Sequence, residues 1–506
     1  MRVRCMSPSR GALLFLALAV AVRTWKHAGA EIDTSCACDV HPAFKERIQR
    51  DLSWLDEAGG ITDAMIRNIS LVCDKAVSHR CNGKVVRLMI KDGQVYLNSL
   101  QPDWRFGPYE VPGFLLELYE LSRLYSLPDV EFAYNGEDDA IALFDFKDRE
   151  KLQTRFHGGP FPLLAWAKSP VSSAILVPDS GAFRCLHDSF DQLLMQLEEI
   201  RRLPWANRTK VRRGGRARAH LLGGRARVPP HHSMAVPEIA FGRWNKFCAP
   251  YQLLGGGRLP SGEAFKCPRA WLPRVAAHFP ELMDLGSLAD PRLESGATRK
   301  RSVPLMHQNQ FAYLVSTDGF ATSRKLEVYL LLGSLVLKAG SSRRGYFYDA
   351  LVPDTHYLPC MNDSGSDVAD RVRWARAHDS QAAAIAAAGQ ALAVRHLNRR
   401  ARLCYLRLLL QQLAARMRYS PSCGQRRLCV PLGRLVEVMA EHPRSRESCR
   451  WSEVLLSHPT PPDQRTAWPD SRLLALLSDP LLWPRDNPDS LPPPDSDPFA
   501  NNMYAV

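Results

Sequence analysis

Apart from one short apolar run near the start of its 506 residues, the chain has no hydrophobic stretch approaching the length needed to cross a bilayer. A polytopic membrane protein is therefore excluded. No segment repeats, which excludes solenoid and propeller arrays. Thirteen cysteines are present, but none is paired in C-x-x-C spacing, so structural zinc has no ligand frame. Acidic residues are the minority charge, 52 against 66 basic ones, leaving a net charge of +14. That balance points to an anionic partner: nucleic acid, an anionic membrane surface or a phosphorylated small molecule. The apolar fraction of 45% is that of a globular chain, and the length suits two domains plus tails.

The one apolar run has the form of a secretory address. Arg2, Arg4 and Arg10 precede Gly11 to Val22, and Ala28-Gly29-Ala30 offers small residues for cleavage, so residues 1–30 read as a signal peptide. Left uncleaved, Leu13 to Val22 would be a signal anchor, the one route to a membrane. Removal of the signal takes Cys5 with it and leaves twelve cysteines, an even number suited to disulfides. Asn68-Ile69-Ser70, Asn207-Arg208-Thr209 and Asn362-Asp363-Ser364 match the N-glycosylation pattern. The ending Met503-Tyr504-Ala505-Val506 is not of the Lys-Asp-Glu-Leu retention type, so the endoplasmic reticulum and the Golgi are both open as luminal destinations. The arginine-dense stretch 201–227 would suit nucleic acid if disordered, but a lumen holds little of it, so no nucleic-acid partner is expected.

The chain divides into two blocks of alternating strands and helices. In the first, Phe44 to Leu55 is amphipathic and Val85 to Leu97 alternates as a hairpin turning at Lys91-Asp92-Gly93. Leu115 to Leu124 is helical in period, and Asp129 to Tyr134 is a strand that runs into Asn135-Gly136-Glu137-Asp138-Asp139. Phe161 to Trp166 and Ala174 to Val177 are short apolar runs, and residues 188–202 form a helix. The second block centres on Gln310 to Gly340, which reads as a βαβ unit. Its helix is predicted to start near Thr322 or Ser323 with a hydroxyl as N-cap, and Gly333 closes it. A loop feeding a helix N-terminus is a natural phosphate site, and Arg324 and Lys325 lie in that first turn. Ala369 to Leu413 is helical with breaks near His378 and Leu397, and the chain becomes Pro/Asp/Ser-rich and disordered from about residue 460. The pattern predicts an α/β fold with two Rossmann-like halves.

The stretch Asp318-Gly319, a gap, Ser323, a basic residue, then Leu331-Leu332-Gly333-Ser334-Leu335-Val336 resembles the signature of glycosyltransferase family 90, which includes the Rumi-like protein O-glucosyltransferases and the capsule-associated proteins. Leu351, Pro353, His356, Tyr357 and Pro359 are similar to its following element, and residues 367–409 resemble its closing helices. The resemblance implies a GT-B arrangement, two Rossmann-like domains facing a cleft. Residues 31–185 would be the acceptor side, 186–420 the nucleotide-sugar side with an irregular insertion at 215–266, and 421–506 an extension. It implies transfer of glucose or xylose from UDP-glucose or UDP-xylose to a protein hydroxyl or a glycan, with inversion and without a metal or other cofactor. The strand at 129–134 is similar to the one that delivers the family's catalytic aspartate, here Asp138. The donor would be held by Arg213, Gly214, Arg269, Asp318, Gly319, Ser323, Arg324 and Lys325. Where the family has Ser-x-Arg, this chain has Ser323-Arg324-Lys325: either Lys325 replaces the arginine or Arg324 has shifted to cover for it. A non-catalytic sugar- or protein-binding member of the same fold is the alternative. Cys404 in the closing helices is expected to pair with Cys36 or Cys38, and Cys73 with Cys81.

Overall fold

The structure, a computed structural model, describes residues 38–67, 85–100, 110–136, most of 161–208, a few positions in 272–283 and most of 304–473. In chain order, helices α1 (Pro42–Glu57) and α2 (Asp63–Arg67) precede strands β1 (Val85–Lys91) and β2 (Gln94–Leu100). Helix α3 (Glu110–Leu124) leads to β3 (Val130–Asn135), β4 (Leu163–Ala165) and β5 (Ile175–Leu176). Short helices α4 (Phe190–Met195) and α5 (Leu197–Arg201) follow; the helix expected over 188–202 is thus interrupted at Gln196. The second block runs β6 (Tyr313–Ser316), α6 (Leu326–Leu331), β7 (Leu335–Ala339), β8 (Leu358–Cys360), α7 (Asp367–Ala377), α8 (Asp379–His396) and α9 (Arg399–Ala414). Strand β9 (Val430–Pro431) and helices α10 (Leu432–Glu441), α11 (Trp451–Ser457) and α12 (Pro462–Ala467) complete it.

The α/β class and the two-sheet organisation expected from the sequence are both present. The first sheet has the order β5-β4-β3-β1-β2-β9. Its β3, β4 and β5 are parallel, while β1, β2 and β9 add an antiparallel half. The hairpin turns at Asp92 and Gly93, whose φ angles of 50° and 72° are the left-handed pair that a two-residue I′ turn demands. The second sheet, β6-β7-β8, is all parallel. Alternate residues of β6 and β7 face opposite ways: Leu314 and Val336 join the large core with α6, while Tyr313, Val315, Leu335 and Leu337 pack with residues of α7 and α8. A parallel sheet covered on both faces accounts for the unbroken burial of both strands.

The breaks in the long helical stretch fall where composition placed them, with His378 preceding α8 and Leu397 ending it. Asn398 caps α9 by accepting from the Ala401 N–H at 3.0 Å. Gly389 in α8 permits close packing, because a Cβ there would lie 2.6 Å from the His356 carbonyl oxygen. Cys38 pairs with Cys404, one of the two partners expected, and ties the start of the first block to α9. Two further bridges, Cys185–Cys449 and Cys423–Cys429, link residues for which the sequence offered no partner. Cys36, Cys73 and Cys81 lie outside the described residues. The extension, far from leaving the body, contributes β9 to the first sheet, and α12 continues order past residue 460, with Thr460 and Gln464 buried.

Helix α1 joins the two blocks. Phe44, Ile48, Leu52 and Leu55 form its buried stripe. On a neighbouring face Asp51, 1% exposed, accepts from Lys168 Nζ at 2.5 Å and from the Leu176 N–H at 2.9 Å, both in the first block. One turn earlier, Arg47 donates through Nε to Asp349 of the second block at 2.7 Å.

Candidate active site

The parallel strands of the two sheets meet at their C-terminal ends. Lys168, just past β4, exchanges main-chain hydrogen bonds with Arg344, beyond β7, at 3.1 and 3.0 Å. Asp179, just past β5, forms an ion pair with Arg324 in the loop after β6, Nε to Oδ2 2.7 Å. In open α/β sheets, ligands bind in the crevice at these strand ends.

Asp318 organises the loop between β6 and α6. It is 1% exposed, and its Oδ1 accepts the Ser323 N–H at 2.8 Å and the Tyr348 hydroxyl at 2.7 Å. Lys338 of β7 lies 3.5 Å from Oδ2, with its ammonium 4.6 Å from the centre of the Tyr348 ring. Burial, reinforced by Asp318, pushes the Tyr348 phenol well above its usual range, so it stays a proton donor to the carboxylate. The loop is therefore closed from inside by one carboxylate that has Ser323, Tyr348 and Lys338 among its partners.

This geometry corrects the predicted helix start. The helix begins at Leu326, with Lys325 at the cap position and no side chain capping it. Ser323 lies two residues before the cap position, in the turn that its N–H ties to Asp318. The C-terminal end agrees with expectation: Gly333 follows with a φ of 66° and donates its N–H to the Leu330 carbonyl at 3.1 Å. Arg208, from the arginine-rich run, is buried against this end and donates to the Leu332 carbonyl at 3.0 Å and to Ser334 Oγ at 2.9 Å. Burial lowers its pKa to about 10.

Of the residues singled out in the sequence, Asp318, Ser323, Arg324 and Lys325 come together in this loop. Asp138, Arg213, Gly214, Arg269 and Gly319 lie outside the described residues. Strand β3 ends at Asn135, beside Ala165 of β4, at the edge of the first sheet that carries Trp166, Lys168 and Asp179. His356 is a packing residue, its Nδ1 accepting the Val352 N–H at 3.0 Å. Sequence reasoning missed Asp179, Trp166, Lys338 and Glu327. Trp166 stands 4.4 Å from the Arg324 guanidinium. Glu327 is buried in the first turn of α6, and burial above all, with Asp179 and Asp318 nearby, pushes its carboxyl well above the usual range. None of the four carries a local motif; a buried acid two residues past the basic pair at 324–325 was the single available signal. Among the described residues, no group of three or more His, Cys, Asp or Glu is placed to hold a metal.

Residues 266–457 match the profile described as Glycosyl transferase family 90. Protein O-glucosyltransferase 2 of Danio rerio is 38% identical over 326 residues, covering 64% of this chain and 54% of the relative. Protein O-glucosyltransferase 3 of Mus musculus is 26% identical over 352 residues, covering 67% and 57%. The chain thus spans little more than half the length of these relatives. Anabaena Alr3699/HepE, solved in complex with UDP-glucose, aligns over 55% of this chain and 70% of its own at 12% identity and a TM-score of 0.26, too slight a likeness to bear on the fold. The matched segment begins before the Asp318 loop and continues through the closing helices into the extension, so the chain is similar to glycosyltransferase family 90 over this segment and to the O-glucosyltransferases over about two thirds of its own length.

Proposed function

We propose that the chain is a luminal, inverting glycosyltransferase that moves glucose or xylose from a UDP-sugar to a protein hydroxyl or a glycan acceptor. The observation that carries this reading is the meeting of two parallel strand edges, one ending β3, β4 and β5 and the other holding the Asp318 loop, in a chain similar to glycosyltransferase family 90. Asp138 takes the proton of the acceptor hydroxyl as its oxygen attacks the anomeric carbon. The bond to the diphosphate breaks on the opposite face, and the negative charge that develops there is met by Lys325, Arg213 and Arg269. On this reading protein cations take the part a metal could play. Glucose is the preferred donor sugar, since the relatives are named for glucose transfer to protein.

A luminal setting draws support from the three disulfides among the described residues, since such bonds persist in oxidising compartments. The acceptor asparagines Asn207 and Asn362 are exposed. A panel of UDP-sugars, scored by UDP release with and without folded protein acceptors, tests the proposal. Turnover is expected with UDP-glucose or UDP-xylose and is lost in Asp138→Asn with UDP binding intact. Absence of UDP binding and of UDP release from every donor refutes it; UDP binding without turnover on any acceptor supports the non-catalytic alternative.

A further inference from the structure

We infer that Arg324 is a positioning residue, latched to Asp179 and Trp166 so as to hold the two strand edges in register, and that Lys325 stands in for the arginine of the family's Ser-x-Arg pattern. The backbone of Arg324 belongs to the second block, in the turn before α6 and next to Ser323, whose N–H is tied to Asp318. Its guanidinium belongs, by contact, to the first block. One edge meets the Asp179 carboxylate at 2.7 Å, and its centre lies 4.4 Å from the centroid of the Trp166 ring system. Both partners are buried, Asp179 at 4% and Trp166 at 3% exposure. They follow β5 and β4, the strands that run parallel to β3 in the first sheet. A planar guanidinium can satisfy a carboxylate at its rim and an indole at its face together, which an ammonium cannot.

The main-chain bridge between Lys168 and Arg344 is a second crossing between the same two edges. Two crossings at separate points resist rotation where one would act as a hinge. Because the charge of Arg324 is already met by a carboxylate, it adds little to the field on a bound diphosphate. Lys325, one residue on, occupies the position of the family's arginine. The kinetic consequences of the latch rest on the glycosyltransferase reading, whereas its mechanical consequences do not.

The test uses the full chain as wild type, Arg324→Gln, Asp179→Asn, the double variant and Lys325→Ala. Misalignment of base against donor costs turnover more than binding, so both single latch variants are expected to lose about tenfold to a hundredfold in kcat. Their UDP affinity stays within about threefold of wild type, and the double variant is no worse than either single one. Lys325→Ala shows the reverse split, with weakened UDP binding. Hydrogen exchange rises in both latch variants on both sides, over residues 163–177 and 323–338. Tighter UDP binding in Asp179→Asn with weaker binding in Arg324→Gln would overturn the inference, because Arg324 would then be a diphosphate ligand held back by the carboxylate. Unchanged kcat with a lowered melting temperature would also overturn it, leaving a purely structural pair. If wild type neither binds UDP nor releases it from any UDP-sugar, the glycosyltransferase reading fails and exchange alone decides. A rise on one side only, or in one variant only, then refutes the latch.

Discussion

Glu131 lies within β3, the strand that leads to Asp138, and it is where the C-terminal extension grips the first sheet. Its Oε1 accepts from Asn98 Nδ2 at 2.6 Å and from Arg426 Nε at 2.8 Å, and its Oε2 accepts from Arg426 Nη2 at 2.7 Å and the Tyr419 hydroxyl at 2.8 Å. Both side chains of the Glu131–Arg426 pair are fully buried, at 0% exposure. Burial alone would lower the Arg426 pKa, but hydrogen bonds and charge from Glu131, joined by Asp63, more than reverse this and keep it a cation. Glu131→Gln preserves the shape and removes the charge. Breaking one side of a buried pair costs about 3–5 kcal/mol. Asp63 stays 2.7 Å from Arg426 Nη2 and Asn98 can still be satisfied, so the lower end applies. At roughly 2 °C per kcal/mol for a domain of this scale, the melting temperature should drop by about 6 °C. Arg426→Leu should lose a similar amount, and Glu131→Gln with Arg426→Leu less than the sum, because no charge is then left stranded. Thermal unfolding followed by circular dichroism reads all three. A loss below about 1 kcal/mol for each single change, or strict additivity in the double, would refute the view that this buried pair holds the extension in place.

Further expectations concern charge and packing. Glu327 has its folded pKa raised above the unfolded glutamate value, so the stability it contributes is full below that value and is lost as pH rises toward the folded pKa. Glu327→Gln should therefore melt higher than wild type at pH 7, with the gap closing toward pH 4.5, and an equal gap at both pH values would contradict this. His41, His356 and His396 are all lowered from 6.5, first by burial and, for His356 and His396, also by the charge of His41, whose ring centre is 4.8 Å from that of His396. Their contribution is present above pH 6.5 and lost below it, so the melting temperature should fall as pH drops from 6.5 to about 5, less so in His396→Asn. Gly389→Ala should cost about 1–3 kcal/mol in urea unfolding, since the new methyl meets a carbonyl oxygen that cannot move away as a side-chain tip could; a neutral result would mean that α8 slides freely.

Several elements were legible because their signals are local. The hairpin at 85–100 announces itself through alternation and the Asp92-Gly93 turn, and the breaks at His378 and Leu397 through interruption of an alanine-rich helical period. The βαβ unit was readable from two apolar runs flanking a helical period that ends in Gly333. Cys404 pairs with Cys38, one of the two cysteines expected for it, and so ties α9 to the chain just before α1. The helix starts at Leu326 and not near Ser323, and the Asp318 carboxylate, five residues back in the chain, holds the Ser323 N–H in the turn before it. Composition beyond residue 460 suggested disorder, but burial of Thr460 and Gln464 against the first sheet's flank orders the chain as far as α12.

By itself, then, the sequence determined most of the segments that become strands and helices, several of the points where they stop, and that a loop carrying Ser323, Arg324 and Lys325 lies between β6 and α6. These depend on periodicity, turn conformations and capping, which act over a few residues. Only the tertiary structure decided what faces that loop. Asp179 reaches Arg324 because β5 and β6 end at one edge, and Glu131 reaches Arg426 because the extension returns to the first sheet. Such pairs form between residues far apart in the chain, and a charge bears no mark of its partner until packing removes the water between them.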